Sequence, residues 1–531
     1  MMTSTSASDL EHGMATPDLR HLERRYRQTL AALLVAVTVA LGTWSIGRDG
    51  SSWRDETVSY AVGRRSVGEL WHLLHNIDAV HGLYYFLAHL VLAVRDDGIV
   101  SLRAVSVAGT VAAVLGVNAI GRLLDGPQTG FLSGLAFLCV PQVQFYLQEA
   151  RSYALVAASV VWATWFLLRA LHDSRRVWWC GYAGLLVWAG WLHEFALLVL
   201  LAHGITVWRG GRLASHGKCW LAAGAVAGAL VSPLAVISAR QAEAQLDWLG
   251  RPGLGEWLAW GIPALLAVAL SVRPWWRGSP QAGPAPGPTG AASRPVGVQA
   301  VALPLLIAPA GFLLVVSFVH PWYVDRYVLY CWAGLALVIG YAVRRAQFAI
   351  PAMPDSRRRR RVVRCAVACA LAGGCVLGVA FWQERLPASR VDTMEGFWGL
   401  TANAPGERTP ILFQPARRRA WILGRPAYEG PVDDVALGRT PQASGTLYGV
   451  EAPPRVIRER MLRHPELIVL RDRPDQPQDR STAEITKRSV LREYFQLCWV
   501  IPLHGGEWTI YVRRDRAVSD PLCAPGRHIY S

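Results

Sequence analysis

Long runs of apolar residues recur along most of this 531-residue chain and limit the folds that it can adopt. Each run has roughly 15 to 22 residues, close to the ~20 that a helix needs to cross the ~30 Å hydrocarbon core of a bilayer. Hydrophobic residues make up 52% of the sequence, too large a share for a water-soluble protein of several domains. The pattern predicts a mainly α-helical, polytopic membrane protein with about 11 transmembrane helices.

The basic residues indicate how these helices are oriented. The net charge of +16 could suggest nucleic acid, but the arginines cluster in short loops between apolar runs. That is the positive-inside pattern, so we expect no nucleic-acid partner. Arginines that precede the first run predict a cytoplasmic N-terminal tail, residues 1–28, and a transmembrane domain over residues 29–384; they are Arg20, Arg24, Arg25 and Arg27.

Residues 48–102, between the first two predicted spans, are predicted to form a large outer loop. The run HGLYYFLAHLVLAV within it has about a dozen apolar residues, too few to span a bilayer, and is interpreted as an interfacial or re-entrant helix. The preceding SVGELWHLLHNI carries a capping box, Ser66 and Glu69, and apolar residues at helical spacing. It predicts a helix that lies flat on the membrane surface. A full span at HGLYY would turn several arginine-rich loops outward, so the charge pattern favours this topology.

Residues 385–531 lack long apolar runs and are predicted to form a small extracytoplasmic α/β domain. Short strand-like runs (PILF, ELIVL, CWVI, WTIYV) alternate with helix-like stretches (PRVIRERMLRH, TKRSVLREYF). Cys498 and Cys523 lie here and could pair in an oxidising compartment, whereas the other seven cysteines lie in or beside apolar runs. The role of this domain stays open, with acceptor binding a natural hypothesis.

Ionisable residues predicted at the outer face are the candidate site, because charge near the hydrocarbon boundary is costly. They are Asp55, Glu56, Asp78, His81, Arg103, Glu149, Arg151, His193, Glu194, Asp325 and Arg326. For Asp55 and Glu56 the alternative is an exposed helix start, where acidic residues suit the helix dipole. For the two histidines, hydrogen bonding in a crowded loop is the commoner role.

Spacing and residue type refine this set. On a helix, Glu149 and Arg151 would point away from each other, which favours a functional role over a surface ion pair. An arginine at the lipid boundary, such as Arg326, suits a phosphate, whose oxygens its planar fork can bind. The His, Glu and Asp spacings match no metal motif such as HExxH. No metal site and no cofactor is therefore assigned, and a divalent cation stays open.

Several short motifs, taken in order, resemble a known family. WRDETVSY, NIDAVHGLYYFLAHL, SLRAVS, VPQVQFYLQEARSYALVAA, WLHEFALL and WYVDRYVLY occur in the order found in bacterial membrane mannosyltransferases of the GT-C class. These are relatives of the protein O-mannosyltransferases and of the aminoarabinose transferases that modify lipid A. The resemblance covers residues 29–345. The family's HPPL-like segment is His81-Gly82-Leu83-Tyr84 here, without the prolines, so the shape of that loop differs.

The resemblance implies a glycosyltransferase of the bacterial plasma membrane. Such enzymes pass a sugar, most often mannose, from a polyprenyl-phosphate donor to an extracytoplasmic acceptor, which is a protein, a glycolipid or a polysaccharide, usually with inversion. The resemblance implies a catalytic carboxylate at Asp55 or its neighbour Glu56, and a second acidic position at Glu149. The expected substrate-binding residues are Asp78, His81, Tyr84, Arg103, Tyr146, Arg151, His193, Glu194, Tyr323 and Arg326.

The chemistry of inverting transfer fits these residues. One carboxylate must take a proton from the attacking hydroxyl, and we expect Asp55 to be that base or to orient the acceptor. A phosphate leaving group needs charge stabilisation, for which Arg151 and Arg326, and less directly Arg103, are suited. Transfer of arabinofuranose or another pentose is an alternative. A lipid or lipid-linked-sugar transporter is another, although we find no internal repeat. A non-catalytic protein that only binds a lipid-linked sugar is the third.

Overall fold

The computed structural model describes residues 16–173, 175–246, 250–272, 296–351, 356–390, 409–424 and 432–523. Most of the predicted cytoplasmic tail, residues 1–15, lies outside this part of the chain. The helices before residue 384 are α1 (Thr16–Thr43), α2 (Arg54–Gly63), α3 (Val67–Asn76), α4 (Gly82–Val94), α5 (Ile99–Asp125), α6 (Pro127–Leu138), α7 (Pro141–Tyr146), α8 (Tyr153–Asp173), α9 (Arg176–Leu192), α10 (Val199–Arg209), α11 (Leu213–Leu246), α12 (Leu254–Val272), α13 (Val298–Val316), α14 (Trp332–Ala349) and α15 (Ser356–Gln383).

The multi-pass helical membrane fold is confirmed. Within the described ranges, eight helices are long and apolar enough to cross a bilayer: α1, α5, α8 and α11 to α15. The remaining three predicted spans are the shorter helices α6, α9 and α10, of 12, 17 and 11 residues. The predicted count of about 11 therefore exceeds the eight because it included apolar runs that end after three to five helical turns.

The predicted outer loop contains three helices. Helix α3 begins with the predicted capping box, in which Ser66 accepts from the Glu69 backbone N–H and the Glu69 side chain accepts from the Ser66 N–H. Helix α4, the HGLYY run, ends at Val94 after 13 residues, too short to cross a bilayer. Both local predictions are thus confirmed, and α2 to α4 lie between the first two long helices.

Helices α5, α6 and α14 pack closely against one another. Gly340 on α14 faces Ser133 on α6, and a Cβ there would lie 2.2 Å from the Ser133 Oγ, so only glycine allows this approach. The last turns of α5 and α14 meet where Arg344 Nη1 donates to Asp125 Oδ2 at 2.6 Å. The opposite ends of these helices are thereby directed toward α2 to α4.

The C-terminal part is a small α/β domain, as predicted. Its strands are β1 (Thr409–Gln414), β2 (Val432–Asp434), β3 (Leu437–Arg439), β4 (Val450–Glu451), β5 (Glu466–Arg471), β6 (Phe495–Leu503) and β7 (Gly506–Arg513). Its helices are α16 (Ala420–Leu423), α17 (Pro441–Ser444), α18 (Pro454–Arg463), α19 (Thr482–Tyr494) and α20 (Arg514–Ala517). The main sheet has the order β2-β1-β5-β7-β6, with β2, β1 and β5 parallel and β7 antiparallel to both its neighbours. Cys498 and Cys523 form a disulfide.

The main sheet is covered on both faces. Trp421 of α16 packs with Phe413 and Leu470 on one face. Helices α18 and α19 pack with Leu412 and Val469 on the other. This alternation follows from the period of two along a strand. Helix α16 also contacts helix α2, and Gly424, directly after α16, faces Thr57.

Candidate functional site

Asp55 and Glu56 occupy the first turn of α2, and their side chains diverge. Trp53 precedes the helix in an extended conformation, which fixes where the first turn begins. Consecutive residues on an α-helix point about 100° apart. The side chain of Asp55 is 16% exposed, whereas that of Glu56 is fully buried. The two carboxylates therefore belong to different environments.

The carboxylate of Asp55 lies in a polar group that we call the Asp55 cluster: Asp55, Asp78, His81, Tyr85, Arg151, Tyr153, His193, Arg326 and Tyr327. Arg151 Nη2 lies 3.6 Å from Asp55 Oδ1, and Arg151 Nη1 donates to the Tyr85 hydroxyl at 3.2 Å. That hydroxyl donates in turn to the Asp78 carboxylate. Arg151 thus links two carboxylates from different parts of the outer loop.

Aromatic and basic side chains complete the Asp55 cluster. The rings of His81 and His193 are 6.0 Å apart, and His193 lies 4.4 Å from the ring of Tyr327. The Arg326 guanidinium lies 5.9 Å from the Tyr153 ring and 5.6 Å from the Tyr327 ring. Such contacts hold the Arg326 guanidinium in place between aromatic rings. The Tyr146 hydroxyl donates to Asp325 at 3.0 Å beside this group.

The two acids of the Asp55 cluster have pKa values shifted in opposite directions. Burial would raise the pKa of Asp55, but the positive charges of Arg151 and Arg326 outweigh it and lower that pKa. Burial raises the pKa of Asp78, and the attraction of Arg151 does not overcome it. Asp55 is therefore the carboxylate held in its charged form.

Glu56 belongs to a second group, the buried ion cluster, formed by Arg48, Glu56, Arg103, Glu149 and Arg390. Arg103 donates through Nε to Glu56 Oε1 at 2.7 Å and through Nη2 to Oε2 at 2.6 Å. The Ala150 N–H also donates to Glu56 at 3.2 Å. A buried carboxylate with a bidentate arginine and a backbone donor has most of its acceptor sites filled. Glu56 thereby ties α2 to α5 and to the segment before α8.

Glu149 occupies the same buried ion cluster. Its carboxylate accepts from Trp53 Nε1 and from Arg390 Nε, the latter at 3.3 Å. Burial would raise the pKa of Glu56, but Arg103 and Arg48 outweigh it and lower that pKa. Burial and then the charge of Glu56 raise the pKa of Glu149. The arginines of the buried ion cluster therefore stabilise the charged form of Glu56 more than that of Glu149.

The structure brings together some predicted site residues and separates others. Asp78, His81, Arg151, His193 and Arg326 lie in the Asp55 cluster, with Tyr146 beside it. Glu56, Glu149 and Arg103 lie in the buried ion cluster, and Tyr84 interacts electrostatically with Arg151, Glu56 and Glu149. Glu194 accepts instead from Ser238 on α11 at 3.0 Å, and the Tyr323 N–H donates to Ser317 at 2.8 Å.

The segment that carries Glu149 and Arg151 differs from the sequence interpretation. That interpretation placed both residues on one helix, but they lie in a turn between α7 and α8. Helix α8 begins only at Tyr153, and the Arg151 N–H donates to the Glu149 carbonyl at 2.7 Å. The turn lets the side chains of Glu149 and Arg151 enter different clusters. The sequence interpretation also had these side chains pointing apart, but on a helix.

Several residues of the two clusters were missed from the sequence. Tyr85, Tyr153 and Tyr327 lie in the quoted motifs, and only Tyr327 directly adjoins a charged residue, Arg326, which was the available signal. Arg390 reaches Glu149 across 241 positions of sequence, and nothing local indicates that contact. Tyr448 of the C-terminal domain packs against the α2 to α4 core and interacts electrostatically with Arg54, Asp55, Asp78 and Arg151.

Among the described residues, no group of three His, Cys, Asp or Glu side chains is placed to hold a metal ion. The Asp55 cluster instead sets carboxylates beside arginines, an arrangement that suits an anionic ligand with hydroxyl groups.

Part of the chain matches the model of a known protein family. Residues 82–237 match the family model described as dolichyl-phosphate-mannose-protein mannosyltransferase. The matched segment begins at α4 and ends in α11, so it includes Arg151 and His193 of the Asp55 cluster but not Asp55 or His81. A comparison with curated protein sequences gives no match.

Two solved structures have a similar fold over nearly the whole chain. ArnT from Cupriavidus metallidurans in the apo state is 13% identical, with a TM-score of 0.57, and the alignment covers 90% of this chain and 97% of ArnT. The same protein bound to undecaprenyl phosphate is 12% identical, with a TM-score of 0.53 and coverage of 93% and 99%. Together with the family match, these similarities confirm the GT-C fold that the sequence motifs implied.

Proposed function

We propose that this protein is an integral membrane glycosyltransferase that transfers a sugar, with mannose as first candidate, from a polyprenyl-phosphate donor to an extracytoplasmic acceptor with inversion. The observation that carries the proposal is the pairing of a charged carboxylate, Asp55, with Arg151 and Arg326 in one cluster. The family description names a lipid-phosphate-linked mannose, and ArnT was solved with a polyprenyl phosphate, which supports this donor class.

In the proposed reaction, an acceptor hydroxyl attacks the anomeric carbon of the sugar while the bond from that carbon to the phosphate oxygen breaks. Asp55 takes the hydroxyl proton, and the polyprenyl phosphate leaves with the bonding electron pair. Arg151 and Arg326 stabilise the charge that develops on the phosphate. Because donor phosphate would draw these arginines from Asp55, donor binding makes Asp55 a stronger base.

Glu56 and Glu149 have supporting roles in this proposal. The bidentate contact with Arg103 fixes Glu56 and therefore the first turn of α2, on which Asp55 lies. Glu149 anchors the turn that presents Arg151, through Trp53 and Arg390. We therefore assign catalysis to Asp55 and positioning to the two glutamates.

The orientation and domain organisation are also proposals. Residues 1–28 lie in the cytoplasm, residues 29–384 form the transmembrane domain, and residues 385–531 form an extracytoplasmic domain. The disulfide between Cys498 and Cys523 supports this side, because disulfides persist in oxidising compartments. Arg344 and Asp125 meet at the other end of the bundle, near arginine-rich loops that the positive-inside rule places in the cytoplasm.

The decisive experiment uses purified protein in liposomes with radiolabelled polyprenyl-phosphate-mannose and membrane acceptors. Transfer by the parent protein and its loss in Asp55→Asn would support both the donor class and the base. A parallel reaction with polyprenyl-phosphate-arabinofuranose tests the pentose alternative. Absence of transfer from every polyprenyl-phosphate sugar by a folded parent protein would contradict the proposal.

A further inference from the structure

A groove of about 500 Å³ lies in the C-terminal domain, on the sheet face covered by α19. Its walls include Gln414 and Pro415, at and after the end of β1, and Arg471 to Pro474, at and after the end of β5. The size is in the range of small-molecule sites. The groove lies on the opposite face of the sheet from α16, which contacts α2 of the outer loop.

The position of the groove matches a known rule for open α/β sheets. Strands β1 and β5 are parallel neighbours. After β1 the chain passes through α16 to β2 on one side, and after β5 it passes through α19 to β6 on the other. The connections therefore separate at the carboxyl ends of β1 and β5, and ligands of such sheets bind in the crevice outside this point.

The charge of the groove is positive. Five arginines and three carboxylates line it: Arg471, Arg473, Arg488, Arg492, Arg514, Asp472, Asp479 and Glu484. Asp472 is already paired with Arg418 at 2.6 Å, and Glu484 with Lys487, both from outside the lining. Arg471 is likewise paired with Glu507 outside the lining, at 2.7 Å, which leaves four arginines and Asp479 to set the charge of the groove. Arg488 and Arg514 donate to backbone carbonyls, which hold the guanidinium groups without neutralising them. The groove therefore favours an anion.

Two buried polar atoms in the groove wall have no hydrogen-bond partner among the described residues: Gln414 Nε2 and Glu484 Oε2. Gln414 is 8% exposed and Glu484 is 1% exposed. A buried polar atom without a partner is costly, so a ligand that satisfies it gains affinity. One atom is a donor and the other an acceptor, and a sugar hydroxyl can serve both.

We propose that this groove binds an acidic saccharide, a sugar that carries a phosphate or a carboxylate. The arginines bind the acidic group, and Gln414 and Glu484 bind hydroxyls. Tyr511 and Phe495 also line the groove. The site is separate from the Asp55 cluster, and the proposal holds whichever sugar that cluster transfers.

The test is isothermal titration calorimetry of the full-length protein in detergent with glucose 6-phosphate, glucuronate, glucose and inorganic phosphate. We expect at least one acidic sugar to bind about tenfold tighter than both glucose and phosphate, equivalent to about 1.4 kcal/mol. Tighter binding of glucose 6-phosphate identifies phosphate as the acidic group, and tighter binding of glucuronate identifies carboxylate. The proposal is overturned if glucose binds as tightly as glucose 6-phosphate and glucuronate do. It is also overturned if inorganic phosphate binds as tightly as these two acidic sugars.

Two variants and a matched control locate the site. Arg488→Gln removes one groove charge, and Gln414→Met removes the buried donor with little change in volume. Each is expected to weaken binding of the acidic sugar by a factor of about five or more, with an unchanged thermal unfolding midpoint. Arg455→Gln makes the same charge change on exposed α18, where Arg455 pairs with Glu459. Equal weakening by Arg455→Gln, or none by either groove variant, contradicts the proposal.

Discussion

Asp55 and Glu56 are consecutive on one helix, yet their carboxylates face different arginines: Asp55 lies 3.6 Å from Arg151, and Glu56 lies 2.6 Å from Arg103. The first contact is partly open to solvent, and the second is buried. A buried bidentate pair fixes the backbone of the helix on which Asp55 stands. The two neighbours should therefore respond to neutral substitution in different ways.

Asp55→Asn should abolish transfer without unfolding the protein. Removal of a general base costs a factor of about 10² to 10⁴ in rate, and Asn keeps the size of the side chain. The measurement is kcat for sugar transfer in liposomes, beside the thermal unfolding midpoint in detergent. Asp97→Asn is the control, because Asp97 is an exposed acid of the same loop, paired with Arg95. Full activity in Asp55→Asn would assign the base to another residue.

Glu56→Gln should instead destabilise the fold. The substitution leaves Arg103 and Arg48 buried without their anion, and breaking such a pair costs about 3 to 5 kcal/mol. We expect a lower thermal unfolding midpoint and less folded protein in the membrane, with Asp97→Asn unchanged. A Glu56→Gln protein that is as stable as the parent but inactive would make Glu56 a catalytic residue.

Glu149→Gln should change how stability depends on pH. The pKa of Glu149 is raised above its usual value of 4.5, so the folded protein holds this proton more tightly than the unfolded chain. The associated stability is present below pH 4.5 and is lost as pH rises through the raised pKa. Gln cannot ionise, so the unfolding midpoint of Glu149→Gln should fall less than that of the parent between about pH 5 and 8. Parallel pH profiles for the two proteins would contradict the assignment.

Arg326→Gln should weaken binding of the donor phosphate. A charge-assisted hydrogen bond contributes about 1.5 to 3 kcal/mol, so KM for the donor should rise by a factor of about ten or more. KM for the acceptor should change little. Arg95→Gln, an exposed arginine of the outer loop, provides the control for general electrostatic attraction. A rise in acceptor KM alone would place Arg326 at the acceptor side of the site.

Local sequence patterns were sufficient for the membrane helices, the capped helix α3 and the four longer strands of the C-terminal domain, β1, β5, β6 and β7. Each depends on a periodicity or a cap within about 20 residues, and such signals are present in the printed sequence. The candidate residues around Asp55 were found because charge is rare near apolar runs. Tertiary pairing was not predictable in this way.

The separation of Asp55 from Glu56 depends on arginines that are distant in sequence. Arg103 is 47 positions from Glu56, and Arg390 is 241 positions from Glu149. Because the chain contains many arginines, composition and local spacing cannot show which arginine pairs with which carboxylate. The same limit applies to Tyr448, which reaches the site only because the C-terminal domain docks on the outer loop.

The segment around Tyr448 is held on the outer loop by specific contacts. Arg65 Nη2 donates to the Thr446 carbonyl at 2.8 Å, and Asn76 Nδ2 donates to the Gly445 carbonyl at 3.3 Å. Gly445 has a φ of +60°, and a Cβ there would lie 2.5 Å from Asn76 Nδ2. Burial raises the pKa of Tyr448 to about 12, although the charge of Arg54 opposes this shift, so its hydroxyl is protonated at neutral pH and can donate.

Tyr448→Ala should therefore impair acceptor use more than donor use. Loss of an aromatic wall beside Asp55 should raise the acceptor KM by a factor of about ten and leave the donor KM nearly unchanged. Tyr448→Phe distinguishes the ring from the hydroxyl, and Gly445→Ala should reproduce the defect by displacing the segment. Tyr494→Phe is the control, since the Tyr494 hydroxyl binds Arg458 on the far face of the sheet. Unchanged acceptor kinetics in Tyr448→Ala would remove the C-terminal domain from the reaction site.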